Sequence, residues 1–188
     1  MTDNRGGYTC RRCRELIEWI PLGRGPEGSR SMFKYAGPGA RLVHALKYEG
    51  GVWIQKEVTA LAGEIPWVQK CCQDTVLVPV PLHPGRFRSR GYNQAGIIAE
   101  GVREAVFHAR VQDCLMRTRK TPSQTLLSRE ERLRNMRGAF VCKWQLDDNQ
   151  RYTIVDDVLT TGATLQAARI ALEKAGAVNI SAFTLAHG

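Results

Sequence analysis

Two adjacent carboxylates, Asp156 and Asp157, follow the β-rich run from Tyr152 to Val155. After Val158 and Leu159 comes a run of small residues, Thr160, Thr161, Gly162, Ala163 and Thr164. From Thr164 to Ala175 the apolar residues Leu165, Ala168, Leu172 and Ala175 recur at helical spacing. This order predicts a buried strand, two acids at its carboxyl end, a short loop and the first turn of a helix. Ligands of open α/β sheets bind in the crevice outside the strands' carboxyl ends. Backbone N–H groups and three hydroxyls at a helix start make a cradle for an anion, and a phosphate fits it. The carboxylates would accept hydrogen bonds from vicinal hydroxyls and offset the charge of a hydrated Mg²⁺. The chemistry indicated is that of a sugar phosphate.

An Asp pair after a strand is by itself an ordinary turn device, and so is a Thr/Gly loop. Their combination, at this spacing and running into a helix, is much more specific. The charge distribution adds to it. The chain carries +9, and Leu82 to Gly138 holds twelve Lys/Arg against five Asp/Glu, a net +7. Such a concentration implies an anionic partner, a polyphosphate or a nucleic acid.

Within that basic stretch, Pro81, Leu82 and His83 lead into Arg86, Arg88 and Arg90, set at alternate positions before Gly91. They follow a predicted buried strand, Thr75 to Val80, and are expected on a loop at its carboxyl end. Guanidinium groups there suit phosphate oxygens. Further on, Arg117 to Arg137 has a polar, basic first half containing Arg119 and Lys120. Its second half reads as a helix from Ser128, with Glu131 completing a capping box. Polar segments of this length between strands often serve as lids. Two acids, a phosphate loop and surrounding arginines match a sugar phosphate with a leaving pyrophosphate. Its departure leaves an oxocarbenium-like centre that acids stabilise.

The elements that must position these groups alternate. Phe33 to Tyr35 is a predicted strand, followed by a Gly37-Pro38-Gly39 turn and a helix with Leu42, Val43 and Leu46 inward, ending at Gly50 and Gly51. A second helix carries Ile54, Val58, Leu61 and Ala62 until Pro66 stops it. Asn93 caps a helix reaching Ala109. Cys114 to Met116, Gly138 to Trp144 and Ile180 to Leu185 are further strands, and Gly176 ends the helix after the acids. The expected fold is α/β, a doubly wound, mainly parallel sheet flanked by helices with a small N-terminal cap. The expected organisation is an arm over 1–31, a helical cap over 32–70 and a core over 71–188 that includes the basic segment 117–137.

At 188 residues and 43% hydrophobic content the chain suffices for one domain with a small addition. No apolar run approaches the roughly 18 residues of a membrane span, and the first residues lack the apolar stretch of a signal peptide. The expectation is a cytoplasmic protein without membrane insertion. Six cysteines form no regular framework and read as reduced thiols. Cys10 and Cys13 could supply two of the four ligands of a tetrahedral zinc site, but no second Cys-x-x-Cys follows, and a flexible arm without zinc is the favoured reading.

The run from Ile154 to Thr164 closely resembles the phosphoribosyl pyrophosphate (PRPP) motif of type I phosphoribosyltransferases. Around it, from about Phe33 onward, the chain resembles the ComF competence-protein family, also called the GntX-like amidophosphoribosyltransferases. The resemblance runs through Ala45-Leu-Lys-Tyr48, Val78-Pro-Val-Pro-Leu-His-Pro84, Arg90-Gly-Tyr-Asn-Gln94, Thr121-Pro-Ser-Gln124 and the stretch from Ser128 to Phe140. It implies a type I phosphoribosyltransferase fold and Mg²⁺-dependent phosphoribosyl transfer to an acceptor the sequence does not name. Asp156 and Asp157 become ribose-hydroxyl acceptors, and Val158 to Thr164 completes the PRPP motif, with Thr160 to Thr164 as the 5′-phosphate loop. Pro81, Leu82, His83, Arg86, Arg88 and Arg90 fall in the pyrophosphate loop, and Arg117, Arg119 and Lys120 in the loop that covers the reaction centre. Family members carry a four-cysteine zinc module, of which this chain keeps Cys10 and Cys13. The resemblance also implies a role in DNA uptake and natural transformation alongside other competence proteins. A second reading of the basic segment is a catalytically silent accessory binding single-stranded DNA, with Phe87 and Tyr92 as stacking platforms.

Overall fold

The computed structural model describes residues 9–23, 25, 28–49, 53–118 and 129–188, leaving out the side chains of 129, 130, 132 and 133. Its centre is a five-stranded sheet. In spatial order the strands are β1 (Ser29–Lys34), β7 (Asn179–His187), β6 (Arg151–Leu159), β2 (Val76–Pro79) and β3 (Arg110–Val111). Every neighbouring pair is parallel. Parallel strands need crossover connections, which place helices on both faces and bury the strands from both sides. All four residues of β2 are accordingly buried, as are seven of the nine in β6 outside Arg151 and the half-buried Val158.

One face of the sheet is covered by α2 (Gly37–Tyr48), α3 (Ile54–Glu64), α4 (Pro66–Cys72) and α6 (Gln94–Ala105). Their residues Leu46, Ile54, Leu61, Val68 and Ile98 share one core with Phe33, Leu77, Val155 and Phe183. The stretch 32–70 thus contributes the second half of β1 to the sheet and three helices to a core built jointly with α6. Gly101 lets α6 lie close against α3, because a Cβ there would stand 2.8 Å from both Val58 Cβ and the Gln55 carbonyl oxygen. The other face is covered by α8 (Ala163–Lys174) and a ribbon of β4 (Leu115–Arg117) and β5 (Phe140–Cys142), whose Leu165, Leu172, Leu115 and Phe140 pack with Val78 and Ile154.

Several elements differ from their expected form. The strand at the acids does not stop at Val155; β6 runs to Leu159 and takes both carboxylates into the sheet. Pairing with β7 continues through Asp156↔Thr184 to Leu159↔His187, so backbone hydrogen bonds hold the acidic dipeptide extended. Gly37, Pro38 and Gly39 are the first turn of α2 rather than a separate turn, with Pro38 where its missing N–H costs nothing. Pro66 ends α3 and also begins α4 for the same reason. The arginine segment after β2 is a helix, α5 (Pro84–Arg90), not a loop. His83 Nδ1 accepts from Gly85 N at its start, and Gly91, with φ 82°, closes it. β4 and β5 pair antiparallel, apart from the main sheet. This ribbon brings together the ends of the basic segment: Thr118 N donates to the Ala139 carbonyl at 3.0 Å and its hydroxyl to that of Gly138 at 3.1 Å. α7 (Arg129–Met136) follows. The proposed cap residue Ser128 and the helix end at Gly50 and Gly51 lie outside the described residues.

Candidate functional site

Strand order fixes where the site lies. From β2 the chain moves outward to β3, then returns past β2 to β6 and proceeds the other way to β7. Connections leaving β2 and β6 therefore diverge, which opens a crevice at their carboxyl ends. In register, Pro79 is opposite Val155. Asp156 and Asp157 thus stand just beyond the last paired residue of β2, at the floor of that crevice.

Both acids are buried, 9% and 6% exposed. As neighbours on a strand they project to opposite faces of the sheet. The Asp157 backbone N–H donates to Asp156 Oδ1 at 2.9 Å. Burial, and then the charge of Asp157, push the Asp156 carboxyl up to about 7, with Lys47 and Arg117 pulling the other way. Lys47 Nζ stands 3.3 Å from Asp157 Oδ2. That oxygen is fully shielded and nevertheless has no hydrogen-bond partner among the described residues. At that separation the ammonium attracts the carboxylate without forming a hydrogen bond to it.

Beyond β6, Thr160 is exposed, Thr161, Gly162 and Thr164 are half-buried, and Ala163 is buried. Gly162 has φ 77°, a left-handed conformation that favours glycine, and it starts α8 without a side-chain cap. The first N–H groups of α8 have no carbonyls within the helix to bond. α8 also has no acidic residue in its first turn. Val158 packs against the α2–α6 core and Leu159 lies in the α8 core, so these two hold the motif in place.

The basic residues divide. Arg117 at the end of β4 lies over the Phe140 ring at 5.6 Å. Its burial and the charge of Arg86 lower its affinity for its proton, while Asp156 raises it. Arg117 from the ribbon therefore feels both Arg86 from α5 and Asp156 from β6, as separate parts of the sequence converge. Arg86 and Arg88 are exposed on α5, whereas Arg90 is committed, donating to Gln94 Oε1 at 2.7 Å and lying 5.4 Å from the Tyr48 ring centroid. Pro81, Leu82 and His83 form the half-buried link from β2 to α5. Arg119 and Lys120 lie outside the described residues.

Sequence reasoning did not assign Lys47. The only signal was its place in Ala45-Leu-Lys-Tyr48, a run singled out as part of the family resemblance. Cys13 N donates to Cys10 Sγ at 3.4 Å at the start of the short helix α1 (Arg11–Glu15). Among the described residues no third His, Cys, Asp or Glu joins them. The described donor set fills half of a zinc shell and does not fit a zinc ion.

This chain is 27% identical over 159 residues to Competence protein F of Haemophilus influenzae, covering 81% of this chain and 69% of the relative. It is 27% identical over 174 residues to Competence protein ComFC of Streptococcus pneumoniae, covering 93% and 74%. It is similar to ComF competence proteins over most of its length. The DNA utilization protein YhgH of Escherichia coli K12 is 29% identical over 157 residues, covering 80% of the ComF-like chain and 68% of its own. No family model matches. Among solved structures, purine phosphoribosyltransferase from Pyrococcus horikoshii aligns over 72% of this chain and 85% of its own, with TM-score 0.36 and 15% identity. Among the described residues, no helix of the ComF-like chain is long and apolar enough to cross a membrane.

Proposed function

We propose that this ComF-like protein binds PRPP with Mg²⁺ and transfers its phosphoribosyl group with release of pyrophosphate, in a pathway of DNA uptake. The observation that carries this reading is the adjacency, on one strand–loop–helix unit, of two buried carboxylates and an uncapped helix N-terminus at the sheet's crevice. The DNA-uptake assignment is supported by the competence and DNA-utilization relatives.

The first-turn N–H groups of α8 and the Thr160–Thr164 hydroxyls take the 5′-phosphate. Asp157 Oδ2, buried and lacking a hydrogen bond, accepts from a ribose hydroxyl, and Asp156 serves the neighbouring one. That orphaned oxygen, within a two-carboxylate set, also fits a hydrated Mg²⁺ held mainly through substrate oxygens. Bound there, Mg²⁺ supplies charge neutralisation for the diphosphate. Arg86 and Arg117 are placed to attract the diphosphate. Asp156 and Asp157 stabilise positive charge at the anomeric carbon as its bond to pyrophosphate breaks. The acceptor supplies the electron pair for the new bond, and its proton passes to water as pyrophosphate leaves.

Calorimetric titration with PRPP and Mg²⁺ tests the binding. Saturable heat is expected for the wild type and none for the Asp156→Asn/Asp157→Asn double variant; absence of wild-type heat sinks the reading. A screen for pyrophosphate release against bases and amines then tests transfer. One observation favours the second reading, a silent DNA-binding accessory: Phe87 is 49% exposed between the exposed Arg86 and Arg88. Single-stranded DNA affinity that falls with salt and with Arg88→Glu, in a protein inert toward PRPP, identifies that alternative.

A further inference from the structure

Three consecutive residues in the last turn of α2 reach two separate parts of the candidate site. The Leu46 carbonyl accepts from Tyr92 Oη at 2.7 Å, Lys47 Nζ stands 3.3 Å from Asp157 Oδ2, and the Tyr48 ring lies beneath the Arg90 guanidinium at 5.4 Å. Tyr92 and Arg90 belong to the junction between α5 and α6, and Asp157 to β6. The turn is therefore fixed on both sides of Lys47, which leaves that lysine a narrow range of positions.

A lysine in the last turn of a helix has an easier place in water, where its charge complements the helix dipole at little cost. Lys47 instead keeps only 22% of its side chain exposed and points at a carboxylate that is 8% exposed. Withdrawing an ammonium from water is costly unless its partner compensates. The pairing has an unusual form, since the ammonium attracts Asp157 Oδ2 and yet leaves that oxygen without a hydrogen bond. The charge orients the carboxylate while its acceptor capacity stays available to a ligand hydroxyl.

We propose that Lys47 is a positioning residue that holds Asp157 oriented toward the ribose hydroxyls of the bound sugar phosphate. This rests on the PRPP-binding reading of the site. Lys47 acts through Asp157 and transfers no proton. The charged groups acting on the acidic pair come from each surrounding element: Lys47 from α2, Arg117 from β4, and the two acids on each other from β6. Lys47 is the one whose partner is Asp157.

The test combines PRPP titration in Mg²⁺ with a ligand-free thermal double-mutant cycle on Lys47→Met and Asp157→Asn. Lys47→Met is expected to raise the Kd for PRPP by about tenfold or more, the size of one charge-assisted hydrogen bond. Lys47→Arg is expected to restore most of it, and the two thermal effects to be non-additive. Titrations are run well below each variant's melting temperature, so that a fold defect is separated from an affinity defect. Normal wild-type binding with an unchanged Lys47→Met titration overturns the positioning role alone, and so does thermal additivity of the two substitutions. A wild type that binds no PRPP overturns the binding reading and this role with it.

Discussion

The Asp157 backbone N–H donates to Asp156 Oδ1 at 2.9 Å, so the chain itself partly compensates an acid that burial and a second carboxylate beside it drive up to about 7. Because the folded pKa lies above the ordinary 3.8, the folded state keeps a proton that the unfolded chain has lost. This contribution to stability is complete below about 3.8 and is lost as pH rises through about 7. Asp156→Asn removes it. Melting temperatures between about pH 5 and about pH 8 should show the variant gaining on the wild type as pH rises. A constant difference across that range excludes the buried, protonating acid.

The same ionisation governs ligand binding. Ribose hydroxyls donate to a carboxylate, and PRPP affinity is expected to increase as pH rises toward about 7 and then level off. Calorimetry in buffers of different ionisation enthalpy reports the proton released at lower pH. Asp156→Asn should abolish that release.

Arg86 and Arg117 share a sign and repel in the free protein, which lowers the hold of Arg117 on its proton. Arg86→Ala relieves this, and the ligand-free melting temperature should hold or rise slightly. Pyrophosphate affinity should fall by roughly tenfold, because a charge-assisted contact is lost. A variant that melts lower and binds pyrophosphate normally contradicts both halves.

Gly162 holds a φ of 77° where α8 begins, and a Cβ there would meet Leu159 Cδ1 only at 3.8 Å. Space is adequate and backbone conformation is the obstacle. Gly162→Ala should cost about 1 kcal/mol in chemical denaturation and more in ribose 5-phosphate binding, because the strained turn shifts the first N–H groups of α8.

Asn93 does two things: its Oδ1 accepts from Ala95 N at 3.2 Å, capping α6, and its Nδ2 donates to the Val80 carbonyl at 3.0 Å. Asn93→Ala should cost about 1 to 2 kcal/mol in urea denaturation. Asn93→Asp keeps the cap and loses the donor, and it should fall between the two.

Much of the architecture was legible in the chain because local periodicity is a local property. The stripes of α2, α3, α6 and α8 and the apolar runs of β2, β6 and β7 each stand at about the expected place. Pro38 and Pro66 mark element boundaries in the sequence, but proline equally suits the first turn of a helix, and each opens one. The arginine helix α5 escaped detection because Pro84 to Arg90 contains no buried residue and hence no periodic stripe.

The sequence by itself determined that two acids precede a small-residue turn and a helix, since their spacing is covalent. Tertiary structure decided what surrounds them. Pairing with β7 extended β6 through the acids, the divergence of strands from β2 and β6 opened the crevice, and packing brought Lys47 and Arg117 toward the pair and Arg86 toward Arg117. These three lie 109, 70 and 39 positions before Asp156 along the chain. Contacts across such separations leave no periodic trace in sequence, because only closure of the sheet and its helices brings the charges within reach of one another.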